Sequence, residues 1–186
     1  MAIKELMQQL PENLKHMVGN SEPTQNTLGC SDSVVLYFKE LGSYLKIAPY
    51  NELEPLEYEV AVLRWLHGKL PVPRVHYYEK FQGKEYLLMS EIEGLDCSNP
   101  AHHSDMEGLV RNLALGLRQI HSLDITDCPF DQTLETKLEK ARLNVERGLV
   151  DEDDLQPEYQ GKTASELYKM LLDRIPPRED LVFTHG

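Results

Sequence analysis

The tripeptide Pro71-Val72-Pro73 constrains this chain most, because it ends a helical pattern and hands over directly to strand-like sequence. Proline lacks the backbone donor and its ring clashes with the preceding turn, so no helix runs through that point. Upstream, Pro55 to His67 has apolar residues at helical spacing. Earlier still, Val34 to Leu41 is β-branched and aromatic, Gly42-Ser43 makes a turn, and Tyr44 to Ala48 alternates with period two. Downstream, Val75 to Phe81 and Glu85 to Ser90 flank the short loop Gln82-Gly83-Lys84. The order hairpin, helix, hairpin predicts a small antiparallel sheet with one helix packed on it. Pro11 to Val18, closed by Gly19-Asn20, reads as a short entry helix at the periphery.

After Gly94 the pattern changes. Asp96 to Asp105 is polar and contains Asn99-Pro100, and beyond it the sequence is helical in character up to Val182. The expected division is therefore a first lobe over residues 1–94 and a helical second lobe over 95–186. Leu109, Leu113, Leu117 and Ile120 fall at i, i+4, i+8 and i+11 and predict a buried helix. Leu134, Leu138 and Val145 mark another, and Ser165 to Leu172 a third, before Pro176-Pro177.

Composition excludes several function classes. The 186 residues are 41% hydrophobic and 27% charged, with no apolar run long enough to span a bilayer, so no membrane partner is expected. The N-terminus lacks the basic start and apolar stretch of a signal peptide, which makes cytoplasmic residence the default. Cys30, Cys97 and Cys128 are odd in number and widely spaced, suggesting neither a disulfide framework nor a zinc site. A formal charge of −12 without clustered Lys or Arg disfavours nucleic acid; an acidic surface suits cationic ligands, and equally suits plain solubility. The pair His102-His103 lacks metal-ligand spacing, and no Gly-x-Ser-x-Gly elbow occurs.

Chemistry enters with the strand at Tyr44. Alternation puts Tyr44, Lys46 and Ala48 on one face, with Leu45 and Ile47 on the other. An aromatic ring beside an ammonium fits a nucleotide platform; it also fits a solvated lysine beside an ordinary strand tyrosine. The helix adds a second constraint. Leu56, Val60 and Leu63 form its inward stripe, and Glu59 falls inside that stripe. An unpaired buried carboxylate costs several kcal/mol, so a cationic mate from the sheet is expected, and Lys46 is the best placed. A strand lysine paired with a helix glutamate is the device by which kinases position phosphates. Glu57 points elsewhere and should be solvated. Ahead of the first hairpin, Gly29-Cys30-Ser31-Asp32-Ser33 lies where a loop over phosphates would lie, although a generic turn explains it as well.

These features accompany longer stretches of family wording: Trp65 to Pro73, Leu87 to Glu91, His121 to Ile125, Asp127 to Pro129 and Gly148 to Leu155. On them the chain resembles the aminoglycoside 3'-phosphotransferase family, which confers resistance to kanamycin-type antibiotics, along nearly its whole length. The resemblance implies an α+β, two-lobed, protein-kinase-like fold. It implies that Lys46 and Glu59 position phosphates, that Tyr44 stacks on adenine and that Ser31 lies in the loop over the phosphates. Met89 would stand at the back of the adenine pocket, and Ser90 to Ile92 would form a hinge whose backbone bonds the base. Asp153, Asp154 and Glu158 would meet the ammonium groups of an aminoglycoside, though an acidic helix start explains that cluster equally well.

The implied cofactors are ATP and Mg2+, and the implied reaction is transfer of the γ-phosphate to a 3'-hydroxyl. The sequence runs out at His185-Gly186, where the family's catalytic aspartate and metal ligands would follow. The expectation is thus a truncated family member, inactive alone, with apolar faces of the second lobe uncovered. Two other readings stay open: a non-catalytic nucleotide- or partner-binding lobe, and a kinase of the same fold acting on another alcohol.

Overall fold

The computed structural model describes residues 3–27, 33–52 and 55–184. The chain divides into two compact units, Met1–Val110 and Arg111–Gly186.

The first unit is built on a five-stranded antiparallel sheet of order β1-β2-β3-β5-β4. The strands are β1 (Thr24–Asn26), β2 (Val34–Phe38), β3 (Ser43–Pro49), β4 (Val75–Phe81) and β5 (Lys84–Ser90). Both sequence-predicted hairpins form. Between β2 and β3, a short 3-10 turn over Lys39–Leu41 ends at Gly42, whose φ of 51° lies in the left-handed region. Between β4 and β5, Gln82 and Gly83 have φ of 49° and 73°, so both central turn residues are left-handed, as the twist of a tight hairpin favours.

Helices cover both faces of this sheet, where the sequence predicted one helix on one face. The helix α3 (Leu56–Leu66) packs on one side: Leu56, Val60 and Leu87 are buried together, with Ala48, Leu63, Val75, Tyr78 and Met89 around them. The opposite side is sealed by α1 (Ile3–Gln8) and α2 (Glu12–Val18). Leu6, Leu10, Leu14 and Val18 bury against Leu36, Phe38, Leu45, Ile47, Tyr86 and Leu88. The N-terminal segment is therefore part of the core and not peripheral. At about 2 kcal/mol for each fully buried leucine, its four apolar contacts contribute substantially to the unit's stability. Leu6, Leu10, Leu14 and Val18 recur every fourth residue, so one apolar stripe continues across the break at Pro11, itself buried.

The second unit is helical. The helices are α4 (Met106–His121, at the division between units), α5 (Leu134–Glu146) and α6 (Ala164–Leu172). Thr133 caps α5 through its side chain, and Thr163 with Glu166 forms a full capping box at the start of α6. The expectation of burial along α4 fails: Leu113 is 48% and Leu117 38% exposed, and none of its residues is buried. Periodicity fixed the helix but not what covers its stripe. No helix among the described residues is long and apolar enough to cross a membrane.

Candidate functional site

The face of the sheet that carries α3 gathers four of the residues singled out by sequence. In the β3–β5 ladder Tyr44 lies opposite Met89 and Lys46 opposite Leu87, while across β2–β3 Tyr44 faces Tyr37 and Lys46 faces Val35. Alternation sends Leu45 and Ile47, 0% and 4% exposed, into the opposite core and leaves Tyr44 and Lys46 half-buried. Lys46 donates from Nζ to a Glu59 carboxylate oxygen at 2.6 Å, the pairing expected from the helix stripe. With side chains 24% and 38% exposed, water screens this pair, and its own stabilisation is about 1 kcal/mol or less. Its value is geometric: it holds an ammonium at a defined point above the sheet.

Tyr44 stacks on Tyr37 with ring centroids 4.7 Å apart. The Tyr37 hydroxyl donates to Glu91 Oε2 at 2.8 Å, and Glu91 in turn donates its backbone N–H to the Gly42 carbonyl at 2.7 Å. The hydrogen bond to Glu91 keeps the Tyr37 hydroxyl protonated above the usual tyrosine range, and burial does the same for Tyr44, with the Glu91 charge adding to it. The aromatic pair is thus tied to the start of the segment that follows β5. Neither Tyr37 nor Glu91 stood out in the sequence, although Tyr37 could have been found from its alternation with the core residues Leu36 and Phe38.

At the end of β5, Ser90 gives its N–H to the Arg74 carbonyl and accepts the Arg74 N–H on Oγ, both at 2.9 Å. Ile92, two residues on, is 48% exposed. Ser31 lies outside the described residues, so nothing is placed for the loop around it.

The helix α3 itself begins without a cap of its own, since Pro55 makes no side-chain bond to it. The acceptor comes from β5. Glu85, 0% exposed, receives the Leu56 N–H on Oε2 at 2.9 Å, and the Glu57 N–H at 3.2 Å and the Tyr78 hydroxyl at 2.5 Å on Oε1. Burial, then this hydrogen bond, hold the Tyr78 hydroxyl far above its ordinary pKa. Glu57 is exposed as expected, and it pairs with Lys80 at 2.6 Å.

In the second unit, Asp153 and Asp154 are exposed, as is Glu158 in a 3-10 turn over Pro157–Tyr159. Their neighbours have local partners: Asp151 accepts the Asp153 N–H at 3.0 Å, and Glu152 accepts the Ala164 N–H at 2.7 Å, at the first residue of α6. Part of the acidic run therefore serves the backbone. Among the described residues no group of three or more His, Cys, Asp or Glu side chains is arranged to hold a metal ion.

Comparison with known proteins places this geometry in a family. Residues 32–186 match the phosphotransferase enzyme family, APH. The chain is 41% identical over 179 residues to an aminoglycoside 3'-phosphotransferase of Niallia circulans, covering 95% of this chain and 68% of that protein. It is 34% identical over 184 residues to an aminoglycoside 3'-phosphotransferase of Staphylococcus aureus, again covering 68% of that protein. The crystal structure of an aminoglycoside-3'-phosphotransferase of type VIII superposes with a TM-score of 0.73 at 27% identity, over 93% of this chain and 66% of that one. APH(3'')-Id from Streptomyces rimosus, in complex with ADP and streptomycin, gives 0.63 at 25% identity, over 93% of this chain and 62% of that one. The chain thus spans about two-thirds of the length of these relatives. The kinase-like α+β fold expected from the sequence is the fold of these neighbours, and the chain belongs to the aminoglycoside phosphotransferase family.

Proposed function

We propose that this chain supplies the nucleotide-holding part of an ATP-dependent aminoglycoside 3'-phosphotransferase. The observation that carries this reading is the Lys46–Glu59 pair on the sheet face beside Tyr44, in a chain 41% identical to an enzyme of that name. Lys46, fixed by Glu59, meets the phosphate oxygens of ATP, and Tyr44 offers its ring to adenine. Met89, opposite Tyr44 in the ladder, forms the back of the base pocket. The N–H groups of Ser90 and Glu91 are already given to Arg74 and Gly42. Donation to the base therefore falls to the backbone of Ile92. Ser31 is offered as a hydroxyl donor to the phosphate oxygens.

In the whole reaction, the bond between the γ-phosphorus and its bridging oxygen to the β-phosphate breaks. A new bond forms to the oxygen of the sugar 3'-hydroxyl, whose proton is released. Mg2+ bound with ATP would neutralise charge on the phosphates, and no described residue is assigned to hold it. No described residue is assigned the role of orienting the acceptor hydroxyl. Asp153, Asp154 and Glu158 are the carboxylates offered to the ammonium groups of the antibiotic. In this reading residues 1–94 hold the nucleotide and 95–186 contribute to the acceptor side, in the cytoplasm, with no nucleic-acid or membrane partner.

The test is calorimetric titration of the 186-residue chain with ATP and with adenosine. Lys46→Ala should weaken ATP by about tenfold or more, the worth of a hydrogen bond to a charged group, and leave adenosine unchanged. Equal effects on both ligands, or none on ATP, would remove the phosphate role.

A further inference from the structure

We infer that Glu85 is a positioning residue for the phosphate-binding pair: it sets where α3 sits along the sheet, and so where Glu59 meets Lys46. The inference rests on the reading of that pair given above.

The first N–H groups of a helix have no partner within it, and a side chain at the preceding residue usually provides one. Pro55 cannot, and Glu85 replaces it from a different element, with one carboxylate oxygen on Leu56 N–H and the other on Glu57 N–H. A carboxylate at 0% exposure is costly to bury, and three donors, including the Tyr78 hydroxyl, are aimed at this one. The bond therefore ties α3 to β5 as well as capping it. Apolar packing of Leu56, Val60 and Leu87 presses the helix onto the sheet but is non-directional. Hydrogen bonds fix direction, so Glu85 determines the helix's axial and rotational setting.

That setting reaches the site within one turn. Glu59 is three residues from Leu56, about 4.5 Å along the axis. On the strands, Glu85 faces Ala48 and the next residue of β5 on the same face, Leu87, faces Lys46. Glu85 thus indexes the glutamate-bearing turn of the helix against the lysine-bearing stretch of β3. Lys80, opposite Glu85 in the β4–β5 ladder, adds its ion pair with Glu57 to the same turn.

The experiment reads the pair directly, without nucleotide. An amine held in an ion pair reacts slowly with trinitrobenzenesulfonate, so the labelling rate of Lys46 in the full chain, resolved by peptide mass spectrometry against Lys169, reports whether Glu59 is in place. Glu85→Gln substitutes a donor for one acceptor. In a variant that keeps its circular dichroism, Lys46 labelling should rise by about fivefold, toward the rate in Glu59→Gln. Adding Pro55→Asp supplies a cap from the residue that precedes the helix. If Glu85 matters only for helix stability, this second change restores the wild-type rate; if it positions α3 on the sheet, melting temperature recovers and Lys46 stays reactive. Tyr78→Phe, which removes one donor and keeps the carboxylate, should raise the rate less and serves if Glu85→Gln fails to fold. A Lys46 rate within about twofold of wild type in the folded variants, or full recovery on adding Pro55→Asp, overturns the inference. Failure of the nucleotide reading appears elsewhere, as ATP affinity indifferent to Lys46→Ala, and leaves the labelling result standing.

Discussion

Tyr37 and Tyr44 face each other across β2 and β3, ring against ring, with planes inclined by 27°. The stack, anchored by the Tyr37–Glu91 hydrogen bond, removes much of the freedom Tyr44 would have to lose on meeting a ligand.

A planar base on Tyr44 gains about 1–3 kcal/mol from stacking. Tyr44→Ala should therefore weaken adenosine and ATP together by about tenfold, and Tyr44→Phe should leave both nearly unchanged. Loss confined to ATP, with adenosine intact, would show that the ring is not the base platform. Tyr37→Leu should have a smaller effect of the same sign, measured by the same titration.

Leu14 of α2 is 0% exposed against the sheet. Leu14→Ala should cost about 2–5 kcal/mol in denaturant unfolding of the first unit, from lost transfer energy and the cavity left behind. A cost well under 1 kcal/mol would mean that the N-terminal helices do not hold their place in solution.

Alkaline pH should weaken the fold through its tyrosines. Burial first, and then the bond to Glu85, raises the Tyr78 hydroxyl above its unfolded value of about 10. Above that value the unfolded chain releases the proton while the native chain keeps it. The native state then binds more protons, and stability falls as pH rises toward the folded pKa, being fully present below about 10. The melting temperature should fall across this range, and Tyr78→Phe should flatten the dependence. An unchanged slope in that variant would assign the effect to other groups.

Gln82 holds a φ of 49° at the β4–β5 turn, a conformation that costs a residue of its type about 1 kcal/mol. Gln82→Asn gives the Asn-Gly pair favoured in such turns and should raise the melting temperature by a few degrees, about half to one kcal/mol. A lower melting temperature would mean that the Gln82 side chain has a role beyond the turn.

Much of the first unit was legible because its periods are unambiguous. Tyr44 to Ala48 alternates cleanly, the helix to His67 is stopped by Pro71-Val72-Pro73, and Glu59 inside an apolar stripe named its own partner. The stripe of α1 and α2 was equally present, but a helix of six residues followed by Pro11 does not announce that the next helix continues the same face. Strand β1, Thr24-Gln25-Asn26, has no apolar alternation and exists by pairing with β2. Glu85 was hidden for a different reason. At the start of a strand a glutamate looks like a solvent-facing residue, and its burial follows only once α3 needs an acceptor that Pro55 cannot give.

Strand β1 is short, polar and at the margin of the sheet, yet it pairs with Val35, Leu36 and Tyr37, the middle of a sequence reading Val-Val-Leu-Tyr-Phe. Such a segment, with its backbone groups bare, is a template onto which other chains add. On this side of the sheet three hydrophilic residues thus fill the place where a strand of another molecule would add, and displacing Thr24 to Asn26 would leave Val35 to Tyr37 open to it.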